Sequence, residues 1–175
     1  WSQSPGGGLE NSQGWHGNYV ACAGSEVFNP RRDRKGRNRN GIFFADSDTR
    51  IAEITDGTSH TLLLGELVLV HDTGVGEQRS GGRYWNTHQG NSLFSTLYPP
   101  NTSVGDRLTW CIDDFRAPCQ ALGADNLVLS LRSHHSGGAH AARADGSAEF
   151  VTDFVDLVVY QRMGTRASQE EEDTP

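Results

Sequence analysis

The dipeptide Asp145-Gly146 constrains this chain more than any other feature. It lies between two short runs, 139–144 and 147–152, that read as strands. Asp-Gly between extended runs is a strong hairpin signal, because a two-residue type I′ turn needs positive φ at both central positions. Ala139, Ala141, Ala142, Ala144 and Ala148 make this hairpin small-sided. Alanine is a poor strand former, so its choice points to the close approach of another element.

Other strands are expected at 18–23, 41–45, 61–70 and 126–131, with 61–70 the strongest. Residues 50–56 read as a helical turn capped by Asp46, Ser47 or Asp48. Residues 154–162 have helical spacing, with Gly164 placed as the C′ residue. The stretch 83–118 reads as a long structured excursion with short strands. The expected fold class is α+β, mainly antiparallel sheet with few short helices. Residues 1–17 read as an extended entry segment, 18–167 as one β-rich domain, and 168–175 as an acidic disordered tail.

The formal charge of −7 and pI near 5.4 argue against a general nucleic-acid binder. No apolar run reaches the roughly 18 residues that span a bilayer. The chain begins at Trp1, and the expectation is a globular part separated from a longer precursor. Three cysteines permit three single pairings. A local Cys111–Cys119 bridge, leaving Cys22 over, is one of them.

His134, His135 and His140 form the densest histidine cluster, and with Asp145 or Glu66 they suit a transition metal. No established zinc spacing is present. In a strand, His135 and His140 would face opposite sides unless the glycines between them bend the chain. Glu66 stands inside an apolar run, where a carboxylate needs a partner. The expectation there is a hydrogen bond to the backbone or a hydroxyl near the turn at His135-Ser136-Gly137-Gly138 rather than catalysis. Asp46-Ser47-Asp48 begins like a calcium loop without its later glycine and glutamate, and Asp113 and Asp114 are further calcium candidates. Gly57-Thr58-Ser59-His60-Thr61 lacks the last glycine of a nucleophile elbow and is discounted.

Trp15, Tyr84, Trp85 and Trp110 are candidates for stacking on sugar rings. The loop containing Arg31, Arg32 and Arg34 carries six basic residues between 31 and 39, and the tail carries four consecutive acids at 170–173. Opposite charge runs can set register between identical subunits. The basic loop would also suit an acidic polysaccharide.

Several segments, in order, resemble one family. They are Asn18-Tyr19 with Ala23-Gly24, Gly41-Ile42-Phe43-Phe44, Ile54-Thr55-Asp56-Gly57-Thr58-Ser59-His60-Thr61 with Gly65-Glu66, and Pro99-Pro100-Asn101. Ser133-His134-His135-Ser136-Gly137-Gly138, Ala144-Asp145-Gly146-Ser147 and Gly164-Thr165-Arg166 follow. The chain resembles a planctomycete family with a prepilin-type cleavage and methylation signal and a C-terminal domain of unknown function. It departs in having Ser136 for proline and His60 for asparagine, and in lacking the long apolar N-terminal helix. The resemblance implies a pilin- or pseudopilin-like fold, exported to the cell surface, extracellular space or periplasm. It implies self or other pilin-like subunits as partners, and membrane attachment only through the absent helix. The leading expectation is a non-catalytic surface or filament-associated protein. A carbohydrate-binding module and a metal-dependent enzyme built on the histidines and Glu66 are the alternatives.

Overall fold

The hairpin is the edge of a five-stranded sheet in the computed structural model of the chain, which describes residues 2–3, 15–29, 39–70, 79–84, 90–123 and 126–168. In chain order the strands are β1 (Ser2–Gln3), β2 (Trp15–His16), β3 (Tyr19–Cys22), β4 (Leu62–Glu66), β5 (Leu93–Phe94), β6 (Asp106–Leu108), β7 (Cys119–Ala121), β8 (Gly138–Arg143) and β9 (Ala148–Thr152). A 3-10 turn, Ile51–Glu53, precedes β4, and one helix, α1 (Leu157–Met163), follows β9. The main sheet runs β5-β3-β4-β8-β9; β3–β5 is parallel and the other pairs are antiparallel. β6 and β7 form a second, parallel pair, and β1 and β2 an antiparallel one. The architecture is α+β and mostly sheet.

The turn between β8 and β9 differs from the expected type I′. Gly146 has φ +86, but Asp145 is not among the positive-φ residues. Gly146 N–H donates to Arg143 O, and Arg143 N–H donates to Ser147 O. This is a type I turn followed by a left-handed glycine, the three-residue G1-bulge hairpin. Asp145 Oδ1 accepts from Ser147 N and Oγ at 2.9 and 2.7 Å, closing the turn from its side chain.

Residues 41–45 do not form the expected strand. β5 takes the edge beside β3, where Ala21 and Ala23 N–H donate to Ser92 and Phe94 O. Phe43 keeps a single bond, from its N–H to Cys22 O. Residues 126–131 also lie outside the main sheet. Leu127 and Val128 make isolated bridges to Phe28 and Arg107, and the chain then runs along the core. β4 stops at Glu66, short of the expected 61–70: Leu67 N–H makes a last in-register bond to Asn18 O, and Arg132 N–H takes Glu66 O where β8 would otherwise pair.

The 3-10 turn is capped by Arg50, whose N–H donates to Glu53 Oε2 at 2.9 Å, and not by Asp46, Ser47 or Asp48. The helix starts at Leu157, later than expected, because Asp156 caps it by accepting from Val159 N at 3.0 Å. Gly164 has φ −80, so it is not the left-handed C′ residue expected. Its small size is needed instead for packing, since a Cβ there would lie 2.1 Å from Thr96 Oγ1.

Strand alternation sorts the sheet into two faces. Val20, Cys22, Ala139, Ala141 and Val151 point inward and share one core with Phe94, Leu129, Leu131 and Tyr160 of α1. Gly65 lets Leu131 approach the sheet closely: a Cβ there would meet Leu131 Cδ2 at 2.1 Å. Cys111 and Cys119 are bridged, with Cα atoms 5.9 Å apart. Cys22 is free and buried.

Candidate functional site

The outward residues of the sheet form a continuous surface. Register places Leu93 beside Ala21, Ala21 beside Leu64, Leu64 beside Ala142, and Ala142 beside Ala148. Every member of this row is small or apolar. A parallel row begins with Tyr19 opposite Glu66 and ends with His140 opposite Phe150. Tyr19 and Phe150 are 41% and 42% exposed, so this face is open. A groove of about 520 Å³ crosses it, walled by Phe43, Phe44 and Tyr84 and floored by Ala21, Leu64 and Leu93.

At the β8–β9 end of this face lies a histidine–carboxylate corner. β4 ends there, so the His140 N–H has no main-chain acceptor across the strand. Glu66 Oε2 accepts it at 3.0 Å, and the buried carboxylate thereby continues the hydrogen bonding one step past the end of β4. Its other oxygen, Oε1, faces His135 Nε2 at 3.6 Å. Gly137, at φ +83, turns the chain between the two histidines. Both rings therefore reach the same side, 4.8 Å apart and edge to face, with Phe150 5.1 Å from His140.

The other candidate residues lie apart from this corner. His134 turns away, and its Nδ1 meets the Arg116 guanidinium at the rim of a cleft shared with Asn101, Phe115 and Asp153. Asp145 sits in the hairpin turn, five positions beyond His140. At about 3.4 Å per strand residue, that is more than ~10 Å away. Among the described residues, the only His/Cys/Asp/Glu group with donor atoms all within 4.8 Å is Cys111, Asp113 and Cys119. Its two sulfurs are bonded to each other. Asp113 and Asp114 each accept a local main-chain N–H, from Cys119 and Arg116. Asp46 and Asp48 line a shallow hollow with Glu53.

The aromatic candidates do not share one cleft among the described residues. Tyr84 Oη donates to Tyr19 O at 2.5 Å. Trp110, 44% exposed, stacks on the Arg83 guanidinium at 5.2 Å. The Trp15 side chain, Trp85, Arg31, Arg32, Arg34 and the acidic run 170–173 lie outside the described residues.

The motifs that carried the family resemblance converge on one another. Ala144 and Asp145 N–H donate to Thr61 and Thr58 O. Buried Thr61 Oγ1 lies 3.1 Å from Gly57 O and 3.2 Å from Thr165 O. Thr165 Oγ1 donates to Asp56 Oδ2 at 3.0 Å. The Arg166 guanidinium donates to Arg39 and Gly41 O and stacks on Phe44 at 5.4 Å. These residues knot three distant segments together, which explains the motifs through folding.

Sequence reasoning missed the centre of the β6–β7 region. Asp106 is 1% exposed and bonds two arginines. Its Oδ2 accepts from Arg79 at 3.1 Å and from Arg132 at 2.9 Å, while Oδ1 accepts from Arg132 and Ser130 N at 3.0 Å. Arg79 also donates to Ile112 O, Ala117 O and Cys119 Sγ, fastening the disulfide loop. Burial lowers the Arg79 pKa, and the Asp106 charge opposes that shift. The available signal was the alternation of Asp106 and Leu108 around Arg107, which places Asp106 inward.

Neither the curated proteins nor the solved structures contain a match to this chain. A family model described as a protein of unknown function (DUF1559) matches residues 7–158. That match covers most of the 175-residue chain, which therefore belongs to the DUF1559 family.

Proposed function

We propose that this chain is the globular part of an exported surface or filament-associated protein that acts by association rather than catalysis. The open outer face of the sheet carries this reading. Its central row of Leu93, Ala21, Leu64, Ala142 and Ala148 is apolar throughout, with alanine at three of the five positions. Such a row lets a helix or a second subunit approach closely. The groove between Phe43, Phe44 and Tyr84 adds an apolar trough. Contiguous exposed apolar surface of this kind marks interaction sites. The Cys111–Cys119 bridge fits an oxidising compartment outside the cytosol. The pilin-like resemblance supplies the partner: a second copy of this chain or another pilin-like subunit.

Sedimentation across a concentration series tests the reading. Self-association is expected, weakened at least about tenfold by Ala142→Glu, with the far-UV spectrum unchanged. Association through the apolar face persists as salt is raised, whereas association through the charge runs weakens. A strict monomer at the highest attainable concentration overturns the reading. So does association that Ala142→Glu leaves unchanged.

A further inference from the structure

The corner formed by Glu66, His135 and His140 has a feature that its folding role does not use. Glu66 Oε2 is committed to His140 N. Oε1 faces His135 Nε2 at 3.6 Å, beyond hydrogen-bond length. The His140 ring packs edge to face against the rings of His135 and Phe150. One carboxylate oxygen and two imidazoles are thus gathered without a hydrogen bond among them.

We propose that these three residues bind a first-row transition-metal ion such as Zn²⁺. The separation of Oε1 and Nε2 leaves room for an ion between them. Two donors about 2.0–2.1 Å from a tetrahedral zinc sit roughly 3.4 Å apart, close to the observed 3.6 Å. A two-histidine, one-carboxylate set leaves the fourth position to water. The backbone bond to His140 already orients the carboxylate, a restraint that metal sites use on their ligands. The His135 ring is 54% exposed, so an ion can enter from solvent. Closing the site requires the His140 ring to rotate, since the donor atoms of the three residues do not all lie within 4.8 Å of one another. His134 is left out because its ring turns to the Arg116 guanidinium, which meets its Nδ1. Asp145 is excluded by its position in the hairpin turn. Imidazole donors favour zinc, copper or nickel over calcium.

The test is calorimetric titration of ZnCl₂ into the tag-free chain, with CaCl₂ as control. Saturable binding of one zinc ion is expected, with no calcium binding that competes for it. His135→Ala, His140→Ala and Glu66→Gln should each weaken zinc binding at least about tenfold, while His134→Ala leaves it unchanged. Glu66→Gln keeps an acceptor for His140 N–H. If that variant loses its fold, His135→Ala, which alters an exposed ring, decides. Absence of saturable binding up to about 1 mM zinc overturns the proposal. So does binding that His135→Ala leaves intact, or that His134→Ala removes equally.

Discussion

Replacing Asp106 with asparagine should be the most damaging near-isosteric change in this protein. The side chain keeps its shape and one acceptor oxygen, but loses the charge between two arginines. Arg79 and Arg132 are 3% and 2% exposed at their side chains, and the Asp106 side chain is fully buried. Breaking a buried ion pair by removing one partner costs about 3–5 kcal/mol, because the remaining charge is left uncompensated in a poorly solvated site. A domain of this size has a total stability of about 5–15 kcal/mol. With roughly 2–4 °C lost per kcal/mol at this length, Tm should fall by roughly 6–20 °C. Urea unfolding should show a lower midpoint at unchanged slope. Arg79 also holds Ile112 O and Ala117 O, so amide exchange should quicken first in the loop between Cys111 and Cys119. A loss below about 1 kcal/mol for Asp106→Asn would refute the view that this charge organises the β6–β7 region.

Two further perturbations probe the core. Gly65→Ala places a methyl 2.1 Å from Leu131 Cδ2, an overpacking that should cost about 1–3 kcal/mol in urea unfolding; an unchanged midpoint would mean that Leu131 moves aside freely. Burial pushes the Cys22 thiol from 9.0 up to about 12. A folded pKa raised in this way contributes stability that is fully present below pH 9 and is lost as pH rises towards 12. At about 1.36 kcal/mol per pH unit the loss reaches about 4 kcal/mol. Cys22→Ala lacks this term, so the stability difference between the two proteins should shift by about that amount between pH 9 and 12, read by denaturant titration. A constant difference would contradict it.

How much of this was legible in the sequence depends on the range of the interaction. The β8–β9 hairpin was visible because its turn residues and alternation are local. The β4 run was visible for the same reason, but its end was not. β4 stops at Glu66, where Arg132 N–H claims Glu66 O, and no local pattern reports that. The parallel pairing of β3 with β5 joins Ala21 to Leu93 across a long connection, and it displaced the Phe43 segment expected as a strand. The Arg79–Asp106–Arg132 cluster stayed hidden for a related reason: charged residues spaced tens of positions apart read as surface until burial shows them paired.

The candidate site divides along the same line. Glu66 stood out as a carboxylate in an apolar run, but its partner, the His140 N–H just past the glycine turn, lies 74 positions along the chain. The same turn settles the histidines. Odd spacing in a regular strand would have put His135 and His140 on opposite faces, but Gly137 at φ +83 brings both beside Glu66. Asp145 fails to join them because the left-handed glycine that makes the hairpin also carries the aspartate to its far end. The outer face was half legible. Alternation shows that Ala21, Leu64 and Ala142 are in phase, while only the sheet order shows that they adjoin. Once adjoined, they turn the excess of alanine in the hairpin into two separate requirements. Ala139 and Ala141 are small because the core is crowded, at 0% and 2% exposure. Ala142 and Ala148 are not confined by that core, so their smallness is unexplained by folding and is the reason to look for a partner on the open face.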